Sequence, residues 1–469
     1  MKPYQITIVI FLVIIVFALI AAFFPENGIK VRSVQLRFPK LEQVMTRNKP
    51  AEIVDPMIAI QDSLARIKEM EKKTEEDTVN YYVQMIEMNP ASFHLPHDDK
   101  TFFDSFFKML ENEQDEVVRI LHYGDSQIEM DRMTSDIRKF FQHKFGGGGP
   151  GLIPLQQTVS STSVYQSVSG ELSDYAVYGT SSKSKDRFYG PLVRYYKING
   201  KVHLTVSAPQ HKQTDEKLLT YKKVTVLSKD LKGGLQAKLK PNKQTECELV
   251  NDSIGINYFT FALDTPTHRF TLTLHGNADI YGIMVDHQKG VAVDNIPIRG
   301  SSGTFFTGME DSLLVKMYKD MRVGMIILQF GGNSVPGISG YQGIAYLKNT
   351  IASQIRFIRR CCPQAKILFI GPSDMSLRIN GVLQTYPRLA DLNEALKEAA
   401  LENGAAYWDM FTIMGGEGSM IAWVSNGFAG NDYIHFTPKG AARIGEALVH
   451  SFSLLYEFYE VRKNLKHTN

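Results

Sequence analysis

Three short stretches carry side chains suited to nucleophilic chemistry: Gly124-Asp125-Ser126, Gly331-Gly332-Asn333 and Asp432-Tyr433-Ile434-His435. A serine hydroxyl is a weak nucleophile. It needs an imidazole to take its proton, and the imidazole needs a carboxylate to fix its tautomer and stabilise its cationic form. Asp432 and His435, three residues apart just before a helical pattern, can supply both groups to Ser126 from one turn. Attack on an ester creates an oxyanion, which needs preorganised donors. The Ser126 backbone N–H and the Asn333 side-chain amide are two candidates. Gly303, in the Gly-rich turn from Arg299 to Phe306, is a third, because a glycine lets the backbone come close to a ligand. Each stretch alone has a plainer reading: Gly-Asp-Ser is a common turn, D-x-x-H a helix cap beside a surface histidine, and Asn333 a turn residue. Their occurrence in order, at strand ends, favours the chemical reading. The twelve histidines, His94, His97, His122 and His143 among them, form no H-x-x-x-H or H-E-x-x-H pair, so no metal is expected.

The elements that must position these groups follow from periodicity. VVRILHYG is a β-branched apolar run ending in the Gly-Asp-Ser turn, and a helical pattern from about 128 to 145 follows it. GGGGPG, from Gly146 to Gly151, lacks the Lys-Ser or Lys-Thr of a phosphate loop and reads as a flexible turn. From 153 to 297, alternating runs such as KVHLTVS, KKVTVLS and HRFTLTLHG, spaced by turn residues, predict a β-sandwich. After 298 the α/β rhythm returns: the strands VGMIILQF, KILFIG and AAYWDM alternate with helices near 311–319, 341–360 and 388–402, and a last helix runs from about 438 to 459. A β-rich block thus interrupts one α/β domain, whose parts are 101–152 and 298–469. Ligands of open α/β sheets sit at the carboxyl ends of the strands, so the three stretches can converge on one crevice. Asp374, after KILFIG, is expected to tie a loop, and Tyr175, Tyr178, Tyr189, Tyr195 and Tyr196 to pack within the β-rich block.

The set GDS, a Gly turn, GGN and D-x-x-H, in that order, resembles the SGNH (GDSL) hydrolase superfamily. The resemblance implies a flavodoxin-like three-layer fold. It also implies Ser126 as nucleophile, His435 as base, Asp432 as its partner, and Ser126, Gly303 and Asn333 as oxyanion donors, with no cofactor. A β-sandwich insert between the first two blocks is similar to that of bacterial peptidoglycan O-acetylesterases and O-acetyltransferases, in which the insert resembles a carbohydrate-binding module. GDSQIEMDR and HFTPKG resemble the same acyl-esterase branch. Two departures stand out: GGNS where many members have Asp after Asn, and SSGT where relatives often carry Asn-Gly-Ala.

Composition narrows the setting. The 469 residues are 43% hydrophobic and 22% charged with a net charge of +3, which argues against disorder and gives no basic stripe for a nucleic acid. The three cysteines, Cys247, Cys361 and Cys362, have neither metal-ligand spacing nor a disulfide pattern, and three buried or free thiols are expected. Ile6 to Phe24 is one apolar run long enough to span hydrocarbon, so 1–24 is expected to be a retained signal anchor rather than a cleaved peptide, and 25–100 a stalk containing a solvated helix. Lys30, Arg32, Arg37 and Lys40 after the run oppose export by charge count. A glycan esterase is useful only where glycan is, which favours a single pass through a bacterial inner membrane with the body in the periplasm. The expected activity is removal of O-acetyl groups from peptidoglycan or a surface polysaccharide. A transferase using the same triad and an inactive glycan-binding protein are the alternatives.

Overall fold

The computed structural model describes residues 55–68, 75–112, 116–211, 214–230, 234–241, 248–251 and 255–468, and before them only short pieces between 4 and 36. Two compact units separate, Met1–Ile53 and Val54–Asn469. In the first, scattered helical residues between Tyr4 and Ile20 precede a small antiparallel hairpin of Ile29–Val31 and Val34–Leu36. The apolar run 6–24 is described only in part, and among the described residues no helix is long and apolar enough to cross a membrane.

The second unit is built on five parallel strands: β1 (Val117–Gly124), β2 (Gly290–Pro297), β3 (Val323–Gln329), β4 (Lys366–Ile370) and β5 (Ala406–Trp408). Their spatial order is β2-β1-β3-β4-β5, the flavodoxin-like winding, whose direction reverses between β1 and β3. β1 and β3 are buried at every position, Arg119, His122 and Gln329 included, as strands covered by helices on both faces must be. Helices α1 (Glu75–Met88), α2 (Asp104–Asn112), α3 (Thr134–Phe145) and α7 (Pro438–Thr468) pack together, with Phe103, Phe106, Phe141 and Phe452 joined edge to face and Phe107 tilted against Phe106. Helices α4 (Asp311–Asp320), α5 (Tyr341–Cys361) and α6 (Leu389–Glu402) form another packed group. Pro297 and Gln329 both stand opposite Gly124, so the carboxyl ends of β2, β1 and β3 are level.

Between α3 and β2 lies an antiparallel sheet of nine strands. Its hub is Arg269–Asp286. The first half of that strand pairs with Arg194–Ser207 and Gln236–Lys240, and the second half with Tyr221–Asp230 and Gly151–Ile153. Leu204, Val206, Val226, Phe261 and Leu272, drawn from both halves, share one buried core. Where a sandwich would have two separate sheets, the strands here form one hydrogen-bonded sheet, with a register shift in the hub strand between Ile280 and Gly282.

The structure revises several expectations. Gly290–Pro297, assigned from sequence to the β-rich block, is a strand of the parallel sheet, because a largely buried parallel edge strand alternates no more clearly than a sandwich strand. The run Gly146–Gly151 is not a loose turn. A Cβ at Gly147 would strike the Val291 backbone and one at Gly149 the Val285 carbonyl, so glycine permits a close crossing into the antiparallel sheet. The segment after residue 54 is not a bare spacer, since Ile60, Met85 and Ile86 are buried and α1 packs on α7. The last helix runs on to Thr468, and the helix expected from 128 starts at Thr134 after a short turn. Cys361 and Cys362 are free and buried, which pushes both thiols up to about 12, while Cys247 lies outside the described residues.

A buried ion triad joins the two sheets. Arg119 of β1 donates to Asp294 of β2 at 3.0 and 3.2 Å and pairs with Asp286 at the end of the hub strand. Asp294 also accepts the Leu152 N–H at 2.8 Å, which fixes where the chain enters the antiparallel sheet.

Candidate active site

Ser126 opens a single tight turn, Ser126–Ile128, immediately beyond β1. Asp125 caps that turn by accepting the Gln127 N–H at 2.9 Å. Gly124 is required just before it, because a Cβ there would press on Ile128 at 2.9 Å. Arg132 reaches back from the next turn, donating to the Ser126 carbonyl at 2.6 Å and the Phe436 carbonyl at 3.0 Å. It therefore ties the serine turn to the segment that carries the histidine.

That segment is a second tight turn before α7. Asp432 Oδ1 accepts the N–H groups of Ile434 and His435 at 3.0 and 3.1 Å, and Tyr433 takes a left-handed backbone with φ 57°. The fold leaves Asp432 Oδ2 2.7 Å from His435 Nδ1, and His435 Nε2 2.8 Å from Ser126 Oγ. A carboxylate accepts only, so Nδ1 carries the proton and Nε2 presents its lone pair to the serine hydroxyl. Partial burial works to raise the Asp432 pKa, but hydrogen bonds from the His435 ring, its backbone and Ile434 outweigh it and hold the carboxyl below its ordinary value. Gln127 braces the turn from behind, donating to the Ile434 carbonyl at 2.7 Å.

Asn333 lies beyond β3, so it and Ser126 flank the reversal point of the sheet. Its Nδ2 donates to Asp125 Oδ2 at 3.0 Å and to the Ser301 carbonyl at 3.1 Å. The Gly303 N–H donates to Ser301 Oγ at 3.1 Å. Ser301 thus engages both donors, through its carbonyl and its hydroxyl. Gly303 is glycine for a further reason: its φ is +75°, and a Cβ would stand 2.6 Å from the Phe330 ring. The crevice has about 640 Å³ of empty space, open to solvent, and is lined by Ser126, Asn333 and His435 with Phe330, Pro336 and Met375. Gly303 is not among its lining residues.

Sequence reasoning missed several supporting groups. Burial pushes the Asp125 carboxyl up to about 6 against the Gln127 N–H, the His435 charge and the Asn333 amide. Glu129, buried, takes a two-pronged bond from Arg299 at 2.5 and 2.7 Å and so clamps the Gly303 loop to the serine segment. The signal lay in GDSQIEMDR, whose polar residues are too closely spaced to be a solvated helix face. His122 is a satisfied core histidine, between Gln329 Oε1 at 3.1 Å and Thr134 Oγ1 at 2.9 Å, and burial drives its pKa down to about 3. Asp374 ties loops as expected, accepting the Met420 N–H at 2.8 Å and the Thr385 hydroxyl at 2.9 Å. No cluster of three or more metal-ligating side chains occurs among the described residues.

A model of the GDSL-like lipase/acylhydrolase family matches residues 271–443, which include Asn333, Asp432 and His435. The chain belongs to the SGNH (GDSL) hydrolase superfamily. It is an SGNH-type esterase. The family match does not include Ser126, which most of the antiparallel sheet separates from the matched residues along the chain. Among solved structures, a peptidoglycan O-acetylesterase is 22% identical with a TM-score of 0.60, over 75% of this chain and 96% of that one. Such a share exceeds the SGNH body and needs the antiparallel sheet as well. A putative GDSL-like lipase from Parabacteroides merdae is 12% identical with a TM-score of 0.26, over 35% of this chain and 74% of that one. An acetylxylan esterase mutant from Geobacillus stearothermophilus is also 12% identical with a TM-score of 0.26, over 34% and 72%. Comparison with curated protein sequences finds no match.

Proposed function

We propose that this SGNH esterase removes O-acetyl groups from a cell-wall or surface glycan through an acyl-enzyme on Ser126. The observation that carries the reading is the unbroken relay Asp432–His435–Ser126, at 2.7 and 2.8 Å, at the reversal point of the sheet. In the first step His435 Nε2 takes the Ser126 proton as Oγ bonds to the acetyl carbon. The tetrahedral oxyanion is held by the Ser126 N–H, the Asn333 amide and the Gly303 N–H once Ser301 gives way. Collapse breaks the bond to the sugar oxygen, which leaves with the proton from His435. Water then attacks the acyl-enzyme with His435 again as base, releasing acetate and restoring Ser126. Asp432 stays ionised throughout and stabilises the imidazolium. The likeness to a peptidoglycan O-acetylesterase supports an acetylated glycan as substrate.

The apolar run 6–24 anchors the protein with the body outside the cytoplasm. The test is acetate release by the full chain in mild detergent from a chromogenic acetyl ester and from O-acetylated glycan, beside Ser126→Ala. Wild type should turn over both and the variant neither. Equal inertness of the two proteins overturns the esterase reading, and faster appearance of acetylated acceptor than of acetate makes the enzyme a transferase. A reporter after Asn469 that is active only in the cytoplasm would overturn the export proposal.

A further inference from the structure

The relay is assembled from two separate pieces of chain. Asp432 and His435 share one turn, closed by its own bonds: Asp432 Oδ1 accepts the Ile434 and His435 N–H groups, the Gly430 N–H donates to the His435 carbonyl at 2.8 Å, and the Tyr433 N–H to the Gly430 carbonyl at 3.0 Å. Ser126 belongs to a second closed piece, in which Asp125 accepts the Gln127 N–H and Arg132 Nε donates to the Glu129 carbonyl at 3.0 Å. The Asp432–His435 bond therefore forms wherever its own turn forms. The His435–Ser126 bond spans 309 residues and exists only while the two pieces are held together.

Packing does little to hold them. The side chains of His435 and Asp432 are 36% and 49% exposed, so that turn has solvent on one side. Hydrogen bonds carry the joint instead. Gln127, buried and next to Ser126 in the chain, brackets His435: its Nε2 donates to the Ile434 carbonyl at 2.7 Å and its Oε1 accepts the Phe436 N–H at 3.4 Å. A carbonyl only accepts and a backbone N–H only donates, so both contacts demand the same orientation of the carboxamide. The other Nε2 hydrogen goes to Ser373 Oγ at 3.3 Å, beyond β4, which leaves Gln127 no side-chain donor for a substrate. Arg132 takes the Phe436 carbonyl at 3.0 Å while gripping that of Ser126 at 2.6 Å. Three successive peptide groups between Ile434 and Thr437 are thus bonded to the nucleophile's piece.

We propose that Gln127 is the positioning residue that sets the gap between Ser126 Oγ and His435 Nε2. The proposal rests on the acyl-enzyme reading and deepens it. Acylation moves the Ser126 proton to Nε2, and the imidazolium must then stay in place to pass that proton to the leaving oxygen. An exposed imidazolium on a turn free to drift would turn to water instead. With the peptide on each side of His435 pinned beside the nucleophile, the ring is held to its task by bonds that water does not reach. Since Gln127 offers substrate no donor, its loss should act on turnover and leave the binding of a small ester alone. Misplacing a reacting group by about 1 Å costs on the order of a hundredfold in rate.

The experiment compares the full chain in mild detergent with Gln127→Leu, which keeps the bulk and loses every bond, and with Gln127→Asn, whose carboxamide is one methylene too short to bracket His435. Hydrolysis of a chromogenic acetyl ester should show kcat down roughly a hundredfold in each, with KM within about twofold. Labelling of Ser126 by a fluorophosphonate forms an Oγ–phosphorus bond, expels fluoride and passes the serine proton to the same base, so its rate should fall by a similar factor. Melting curves show which variants are folded, and the asparagine variant carries the test should leucine fail to fold. Unchanged kcat in a folded variant, a loss confined to KM, or a fall in kcat with labelling undiminished overturns the assignment alone. A wild type inert toward both reagents overturns the acyl-enzyme reading, and the assignment with it.

Discussion

Replacing Asp125 with asparagine should separate the stability of this enzyme from its activity in a way that pH reveals. Asp125 is fully buried beside Ser126, and burial raises its carboxyl from 3.8 to about 6 in spite of two N–H donors. Between those values the folded protein holds a proton that the unfolded chain has released. Stability from this group is therefore greatest below about 3.8 and is lost as pH rises through about 6. Two units at 1.36 kcal/mol each come to about 3 kcal/mol. In Asp125→Asn the carboxamide oxygen can keep the Gln127 N–H, but its nitrogen then faces the Asn333 nitrogen, donor against donor. That mismatch is a constant with respect to pH. The difference in unfolding free energy, wild type minus variant, should hence fall by about 3 kcal/mol from pH 3.5 to pH 7.5 whatever its absolute sign. Urea titration followed by tryptophan fluorescence measures it, since Trp408 and Trp423 are both buried. Other titrating groups cancel in the difference. Activity should drop roughly tenfold to a hundredfold because Asn333 loses its brace. A difference flat to within about 1 kcal/mol over this range would refute the buried-charge account.

Other perturbations follow from the same geometry. Ser301→Ala frees the Gly303 N–H for the oxyanion, so kcat on an acetyl ester should hold or rise severalfold, and a tenfold loss would show that Gly303 is not a donor. Gly303→Ala meets both a positive φ and the Phe330 ring and should cost about 2 to 4 kcal/mol, read as a lower melting temperature. His122 has the opposite sign to Asp125: its lowered pKa means that the unfolded state takes up a proton first, so stability drops as pH falls below 6.5. His122→Gln should flatten that limb in acid titration. Arg119→Met leaves Asp286 and Asp294 buried without their cation and should destabilise by about 3 to 5 kcal/mol, whereas a change below about 1 kcal/mol would mean the triad is dispensable.

The α/β part of the molecule was readable because its signals are local. VVRILHYG and VGMIILQF are apolar but for Arg119, His122 and Gln329, a density that suits a strand covered on both faces, and each ends in the turn that carries a polar group of the site. Gly290–Pro297 was misassigned because only the three residues His287 to Lys289 separate it from the antiparallel hub strand and no helix announces the change. Gly146–Gly151 was misread for a related reason: glycine marks both loose turns and close crossings, and only the Val285 and Val291 backbones distinguish them. The triad could be proposed from type and order. The bracing set could not, because Asp125–Asn333 and Glu129–Arg299 pair across 208 and 170 residues and no periodicity links them.

The antiparallel sheet leaves and re-enters the α/β body at the amino ends of the parallel strands, where Gly147 bridges Val291 and Gly290 pairs with Val117, while its loop 154–163 reaches the carboxyl end of β2. It interrupts the connection between β1 and β2, the strand of the nucleophile and its neighbour. The Arg119 triad ties the end of the hub strand to both of them, and the glycine crossing presses its entry against β2. Motion of the sheet as a body would have to break buried ion pairs, so it is fixed to the α/β body rather than tethered as a free module. The Ser301 loop, by contrast, is held by exchangeable bonds: Arg299 to Glu129, Asn333 to a carbonyl, and Gly303 to a hydroxyl. The part of the site free to adjust is therefore the oxyanion loop, on the side of the crevice where negative charge must develop.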